Sequence, residues 1–318
     1  MNSINTNFAA LTALQSLNDT NKDLLTTQNR ISTGLRIGDA ADGAAYWSMS
    51  TTMKSDSKAL NAVSDALGLG SATVDVTYTA LNSAIDVTTE IKAKLVAARE
   101  PGVDRTQIQT EIDALQDQLR GVASAASFSG ENWLSVDSGD ANYNATENIV
   151  SSLTRSGSIV SVGTISVAVS TMFLFDNEGT PPAINARGIL ASGRDATTGA
   201  IDAAGTIVVA SVDGTSELSV ASATDAQIDQ SIQAVDMAIT EMTSAATQLG
   251  AAKSRMALQL DFVSALQDSI DRGVSTLVDA DMNEESTRLQ ALQVQQQLGI
   301  QALSIANSSS QNILSLFR

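Results

Sequence analysis

Apolar side chains return every seventh residue through most of this chain. Met53, Leu60, Leu67, Val74, Leu81, Thr88 and Leu95 form one such row, and Val63, Gly70, Thr77, Ala84, Ile91 and Ala98 accompany it in a second phase. A matching row lies toward the other end: Ile228, Val235, Met242, Leu249, Met256, Val263 and Ile270, with Ile232, Ile239, Ala246 and Leu260 beside it. A seven-residue repeat in two phases is the seam of a coiled-coil helix. At about 1.5 Å per residue, residues 53–98 and 228–270 predict two rods of roughly 65 to 70 Å. Their similar lengths suit them to pair along these seams.

Shorter repeats flank the rods. Near the start, Ala10, Leu17, Leu24 and Ile31 advance by sevens, with Leu14 and Leu35 in the other phase; Ile4 and Leu11 add apolar positions. Near the end, Leu289, Gln296 and Leu303 run beside Leu292, Gly299, Ala306 and Ile313, followed by Leu314 and Phe317. Each predicts a terminal helix of about 50 Å. A further helix is expected after Pro101, where Asp104 serves as cap and Ile108, Ile112, Leu115, Leu119 and Val122 make an apolar stripe. "REPGVD" reads as the reversal before it, and "TDAQ" at 224–227 as a capping box opening the second rod.

Two Asp- and Gly-rich stretches, "GDAADG" at 38–43 and "DRGVSTLVDADMNEE" at 271–285, are expected to break the rods from the terminal helices. The middle, 136–223, changes to Ser, Thr, Gly and Asp. There "TISVAVST" alternates Ile165, Val167 and Val169 with small residues as a strand does, and "TIVVASVDGTSELSVAS" predicts a hairpin turning at Asp213 and Gly214. The fold class expected is mainly α, a long coiled-coil bundle built by the N- and C-terminal parts with a small β-rich domain inserted. The domain boundaries expected are 1–37 and 274–318 for the terminal helices with their linker, 38–135 and 224–273 for the rod, and 136–223 for the insert.

Composition narrows the function. With 18 Lys and Arg against 35 Asp and Glu, a formal charge of -17 disfavours nucleic acid and anionic lipid. Neither Cys nor His is present, which removes thiol nucleophiles, imidazole bases and the usual zinc ligands. No cofactor, metal or catalytic residue is expected. "DADMNEE" imitates the start of a calcium loop, but Glu284 stands where that loop needs Gly and Gln290 where it needs Glu. It reads instead as a helix start, with Asp281 the cap. The first residues lack a basic segment and an unbroken apolar run, so no Sec-type signal is expected, and no stretch has the length of a membrane span.

The apolar terminal helices are then the open question. A chain with no visible globular partner for Leu289, Leu292, Leu303, Ile313, Leu314 and Phe317 is expected to bury them against its own other terminus and against further molecules. Such segments fold on assembly.

Two terminal blocks carry a resemblance. "INTNFAALTALQSLNDTNKDLLTTQNRISTGLRIGDAADGAA" is similar to the amino-terminal signature of bacterial flagellin, through Asn5, Asn7, Leu11, Leu24, Arg30, Gly34, Arg36 and Ile37 among others. "DADMNEESTRLQALQVQQQLGIQALSIANSSSQNILSLFR" resembles the carboxyl-terminal pattern, through Asp279, Asp281, Glu285, Leu303, Asn307, Gln311 and Leu316. The finer wording looks like flagellins of soil alphaproteobacteria. The resemblance implies a structural subunit whose terminal helices pair inside a helical homopolymer, with Ile4, Leu11, Leu14, Leu17, Leu24, Ile31, Leu35, Leu289, Leu292, Leu303, Ala306, Ile313, Leu314 and Phe317 as inner contacts. It further implies junction and cap proteins, a chaperone and the flagellum's own export apparatus as partners, and an extracellular filament as the location. Host receptors are not expected as normal partners, because Gly43 and Tyr46 depart from the plant-sensed pattern and Ile91 or Lys92 from the animal one. A hook-filament junction protein of the same helical family, and a non-flagellar coiled-coil adaptor, stay open as alternatives at this point.

Overall fold

A computed structural model describes residues 7–140, 143–157, 159–177, 188–195, 207–211 and 218–315, with backbone alone for 309–315. The elements in chain order are α1 (Phe8–Thr33), α2 (Ala40–Ala98), α3 (Arg105–Ala125), β1 (Ser127–Phe128), β2 (Glu131–Asn132), β3 (Ser135–Val136), β4 (Glu147–Ser156), β5 (Ile159–Val167), a 3-10 turn (Val169–Thr171), β6 (Phe175–Asp176), α4 (Asp225–Val278) and α5 (Met282–Ser315). They form two compact units. One takes in the described residues of Met1–Lys58 and Leu266–Arg318; the other is built from Ala59–Ala265.

The second unit is organised by the heptad rows. Leu60, Leu67, Val74, Leu81, Thr88 and Leu95 of α2 are buried, as are Ile228, Val235, Met242, Leu249, Met256 and Val263 of α4. Ion pairs run along the two helices in antiparallel sense: Lys92 to Asp236 at 2.5 Å, Lys253 to Asp75 at 2.6 Å and Arg99 to Asp229 at 2.9 Å. Exposed pairs of this kind contribute little stability and mainly favour this alignment over others. α3 lays Ile108, Ile112 and Leu119 into the same interior.

Local signals in the sequence set the helix starts. The Asp104 carboxylate accepts from the Thr106 amide at 2.9 Å, capping α3. At α4 the box is reciprocal: the Gln227 carboxamide oxygen accepts from the Thr224 amide at 2.8 Å, and the Thr224 hydroxyl accepts from the Gln227 amide at 3.4 Å. Asp225, in the first turn of α4, accepts from Arg105 at 2.6 Å and pairs with Arg99 at 2.9 Å. The Arg105 hydrogen bond, then the Arg99 charge, hold its carboxyl below the ordinary 3.8. A depressed carboxylate stabilises the fold above its unfolded pKa and loses that contribution as pH falls through the folded one. Wild type is therefore expected to exceed Asp225→Asn in stability at neutral pH, with the difference beginning to shrink near the ordinary 3.8 and gone only below the lower folded pKa. Thermal melts of the pair at several pH values check this, and a difference that persists into acid would contradict it.

Among the described residues of the middle, regular sheet is limited to short pairings and one hairpin. β4 and β5 make one antiparallel hairpin, Glu147 opposite Val167 and Ser156 opposite Ile159, with an irregularity between Val150 and Ser152. Ile165 and Val167 are buried in it, but Val169 falls in the 3-10 turn instead of the expected strand. Ile149 of β4 sits so close to Gly70 of α2 that a side chain at residue 70 would lie 2.5 Å from it. The heptad position held by glycine is thus the seat of a strand. Strand pairing begins at Ser127, ahead of the expected insert, and β3 pairs β6 in parallel across a long separation. The expected turn at Asp213 and Gly214 lies outside the described residues.

The first expected break, "GDAADG", falls where the long helix proper begins: Gly43, with φ 172 and ψ 88, is a non-helical kink that separates a single turn at Ala40 from the rod that follows. The second break is shorter than composition indicates. α4 runs on to Val278, which reduces the second break to residues 279–281. Gly273 does not end this helix. A side chain there would stand 2.9 Å from the Met53 methyl, so the residue is small to admit Met53 rather than to turn the chain.

Candidate assembly interface

Within the first unit, α1 and α5 lie side by side as an antiparallel pair. Its closed end is a small apolar core: Ile37, Val274 and Val278, with Leu35, Met53, Ile270 and Leu277 packed on it. Backbone bonds fasten this end. Arg36 and Ile37 donate their amides to the Val278 carbonyl at 2.7 and 3.2 Å, and Ala280 donates to Gly34 at 2.9 Å. Gly34 takes φ 73, the left-handed conformation that ends α1. Asp281 caps α5, its carboxylate accepting from the Asn283 amide at 2.8 Å and from Glu284 at 3.3 Å. The acidic stretch that imitates a calcium loop serves this helix start, and no cluster of three or more metal-ligating acids exists among the described residues.

Three levels of side-chain contact mark the register of the pair. Arg30 donates to Glu285 at 3.1 Å. Gln296 donates to the Asn21 carboxamide oxygen at 2.7 Å. At the far end Asn7, which also caps α1 by accepting from the Ala10 amide, donates to the Ala306 carbonyl at 3.0 Å. Between the last two levels, a side chain in place of Gly299 would stand 3.1 Å from a Leu17 methyl. Leu17 therefore seats over a glycine.

The structure divides the predicted inner contacts. Leu17, Leu24, Ile31, Leu35, Leu289, Leu303 and Ala306 are half-buried, and Leu292 is buried. Leu11 and Leu14 are exposed and do not join them. The companion row of α1 that turns inward is Ala13, Thr20 and Thr27, small or polar residues that carry none of the large-apolar signal of a heptad. Ile313 and Leu314 are in α5 with backbone alone described; Ile4 and Phe317 lie outside the described residues. In the rod seam, Met53 and Ile270 are half-buried within the first unit.

What remains uncovered is large and apolar. On α1, Phe8, Leu11 and Leu25 are 65%, 63% and 61% exposed; on α5, Leu298 and Ile305 are 57% and 68% exposed, joined by Val294 and Ile300. Phe8, Leu25, Val294, Leu298, Ile300 and Ile305 belong to this set although the heptad rows do not include them. Their signal is that each lies off the seam phase and is still apolar. Large apolar side chains left exposed in such numbers on one helix pair point to an interaction site. Among the described residues no helix is long and apolar enough to cross a membrane.

Comparison with known proteins agrees with the geometry. The bacterial flagellin N-terminal helical region matches residues 4–138, and the flagellin C-terminal helical region matches 232–317. Flagellin C of Rhizobium meliloti strain 1021 is 50% identical over 327 aligned positions, covering 100% of both chains. Flagellin of Brucella melitensis biotype 1 is 46% identical over 319 positions, and Flagellin A of Rhizobium meliloti strain 1021 is 45% identical over 398, again covering 100% of both chains in each case. Paired terminal helices with an unfinished apolar exterior, matched at both ends and along the full length, place the chain in the bacterial flagellin family, the subunits of the flagellar filament.

Proposed function

We propose that neighbouring copies assemble the filament through the exposed faces of α1 and α5, so that Phe8, Leu11, Leu14 and Leu25 of one subunit and Leu298 and Ile305 of another complete an interior no single subunit closes. The observation that carries this is the exposure of these side chains on two helices whose mutual seam is already formed. The seam residues Leu17, Leu24, Ile31, Leu289, Leu292, Leu303 and Ala306 hold the pair together, and the sequence adds Ile4, Ile313, Leu314 and Phe317 as candidates for contact with neighbouring copies. The heptad seam from Leu60 to Leu95 and Ile228 to Val263 holds the second unit together. The role is structural, with no catalysis, and the partners besides further copies are junction and cap proteins, a chaperone and the flagellar export apparatus.

Each large apolar side chain buried at such a contact contributes about 1.5 to 3 kcal/mol. Leu298→Lys with Ile305→Lys is therefore expected to raise the critical concentration for polymerisation at least about tenfold, leaving helix content unchanged. Sedimentation of polymer from monomer reads the first and circular dichroism the second. Polymerisation at the wild-type concentration would overturn the assignment of these faces.

A further inference from the structure

We infer that the Arg30–Glu285 pair selects the register of the terminal helix pair, a role that rests on the assembly reading above and goes beyond apolar contact. The apolar seam alone leaves register incompletely fixed. Its inward positions mix Leu17, Leu24, Leu289, Leu292 and Leu303 with the small or polar Ala10, Ala13, Thr20, Thr27, Gln296 and Ala306. Both helices repeat by sevens, so a slip of one heptad keeps apolar rows facing each other, at the cost of lifting Leu17 off Gly299.

The ion pair does not tolerate that slip. Glu285 occupies a seam position in line with Leu292, Gly299 and Ala306, and its side chain is only 6% exposed. Arg30 reaches it from α1 with 27% exposure, and Arg288 touches the same oxygen from the next turn of α5 at 3.5 Å. The other carboxylate oxygen is buried with no partner among the described residues. When the helices slide, this buried carboxylate loses its closer guanidinium, Arg30 of the facing helix, and keeps only Arg288 of its own helix at 3.5 Å, whereas apolar rows still meet. Buried ionic and polar groups at seam positions specify register in this way, not by adding net stability.

The consequence for assembly is geometric. Sliding α5 by one heptad moves Leu298 and Ile305 about 10 Å along α1. The exposed faces of the two helices would then no longer present one continuous surface to a neighbouring copy.

The test uses the full chain and its lack of cysteine, which lets an introduced pair report register without competition. Asn21→Cys with Gln296→Cys, side chains in contact at 2.7 Å, is combined with native Arg30 and Glu285, with Arg30→Glu, with Glu285→Arg, or with both reversals together. Oxidation is expected to cross-link the native background and the double reversal, and to lose at least about tenfold in yield in either single reversal, as a discrimination between registers of one ion pair requires. Filament yield without the cysteines is expected to follow the same order, and Glu285→Gln to fall between. Cross-linking and filament growth in single reversals equal to native, or a double reversal no better than the singles, would overturn the proposal. If the native chain cross-links but forms no filament, the assembly reading fails and the register assignment stands; if native and single-reversal chains both form filaments equally, only the register assignment falls.

Discussion

A chain ending at Ala306, with residues 307–318 removed, is expected to remain soluble and exportable and to form no filaments. Asn7, the residue that caps α1, already reaches the Ala306 carbonyl at 3.0 Å, so the later turns of α5 extend past the described end of α1. Those turns carry Ile313 and Leu314, and Phe317 follows. The seam contacts at Glu285, Leu292, Gln296 and Gly299 are all retained, and the proposed assembly assigns the removed residues to neighbouring copies. Truncation thus subtracts intersubunit burial of about 1.5 to 3 kcal/mol per large side chain, repeated at every subunit of the polymer, while subunit folding changes little. Electron microscopy of purified and of secreted protein checks the outcome: monomer in the medium with bare hooks is expected, and filaments of normal length would refute it.

The parts of this fold written in local chemistry are legible in the sequence alone. Leu60, Leu67, Val74, Leu81 and Leu95 are buried because a seven-residue repeat leaves them no other common direction, and Asp104, Thr224 and Asp281 cap helices because their side chains satisfy amides that the helix cannot. Glycine is less legible. Gly273 suggests a break, yet α4 passes through it and uses its missing side chain to admit Met53; Gly70 likewise receives Ile149 and Gly299 receives Leu17. Whether a glycine turns the chain or lets another group approach depends on what comes to rest against it, and that neighbour is distant in sequence. The parallel pairing of β3 with β6 is hidden for the same reason, being two residues long on each side with no alternation to announce it.

The candidate interface is legible as an apolar excess but not as a partition. Leu11, Leu14, Leu17 and Leu24 are equivalent as letters. Only the packing of α5 against α1 separates Leu17 and Leu24, which turn inward, from Leu11 and Leu14, which do not. Polar residues decide that packing as much as apolar ones. Thr27 is 2% exposed and Glu285 5% exposed, so the seam includes positions that no leucine marks. The exposed set is then defined by subtraction, which explains why Phe8 and Ile300 enter it only once the seam is known.

Two leucines of α2 separate folding from assembly within one turn of helix. Leu67 is fully buried, with 0% exposure, and Leu69 is 55% exposed. Leu67→Ala removes side-chain atoms from a close-packed seam and leaves a cavity, which costs about 2 to 5 kcal/mol. For a unit of this size that lowers the melting temperature by roughly 5 to 15 °C. Leu69→Ala removes the same atoms from a surface already in water and is expected to stay within about 0.5 kcal/mol of wild type in the monomer. Helix propensity does not confound the comparison, since both changes introduce the same residue at interior positions of one helix. Calorimetry of the two monomers measures the contrast. Equal melting temperatures would mean that the heptad row does not carry the interior of this unit, whereas a Leu69→Ala monomer that melts normally but polymerises poorly would add residue 69 to the surfaces that meet another copy.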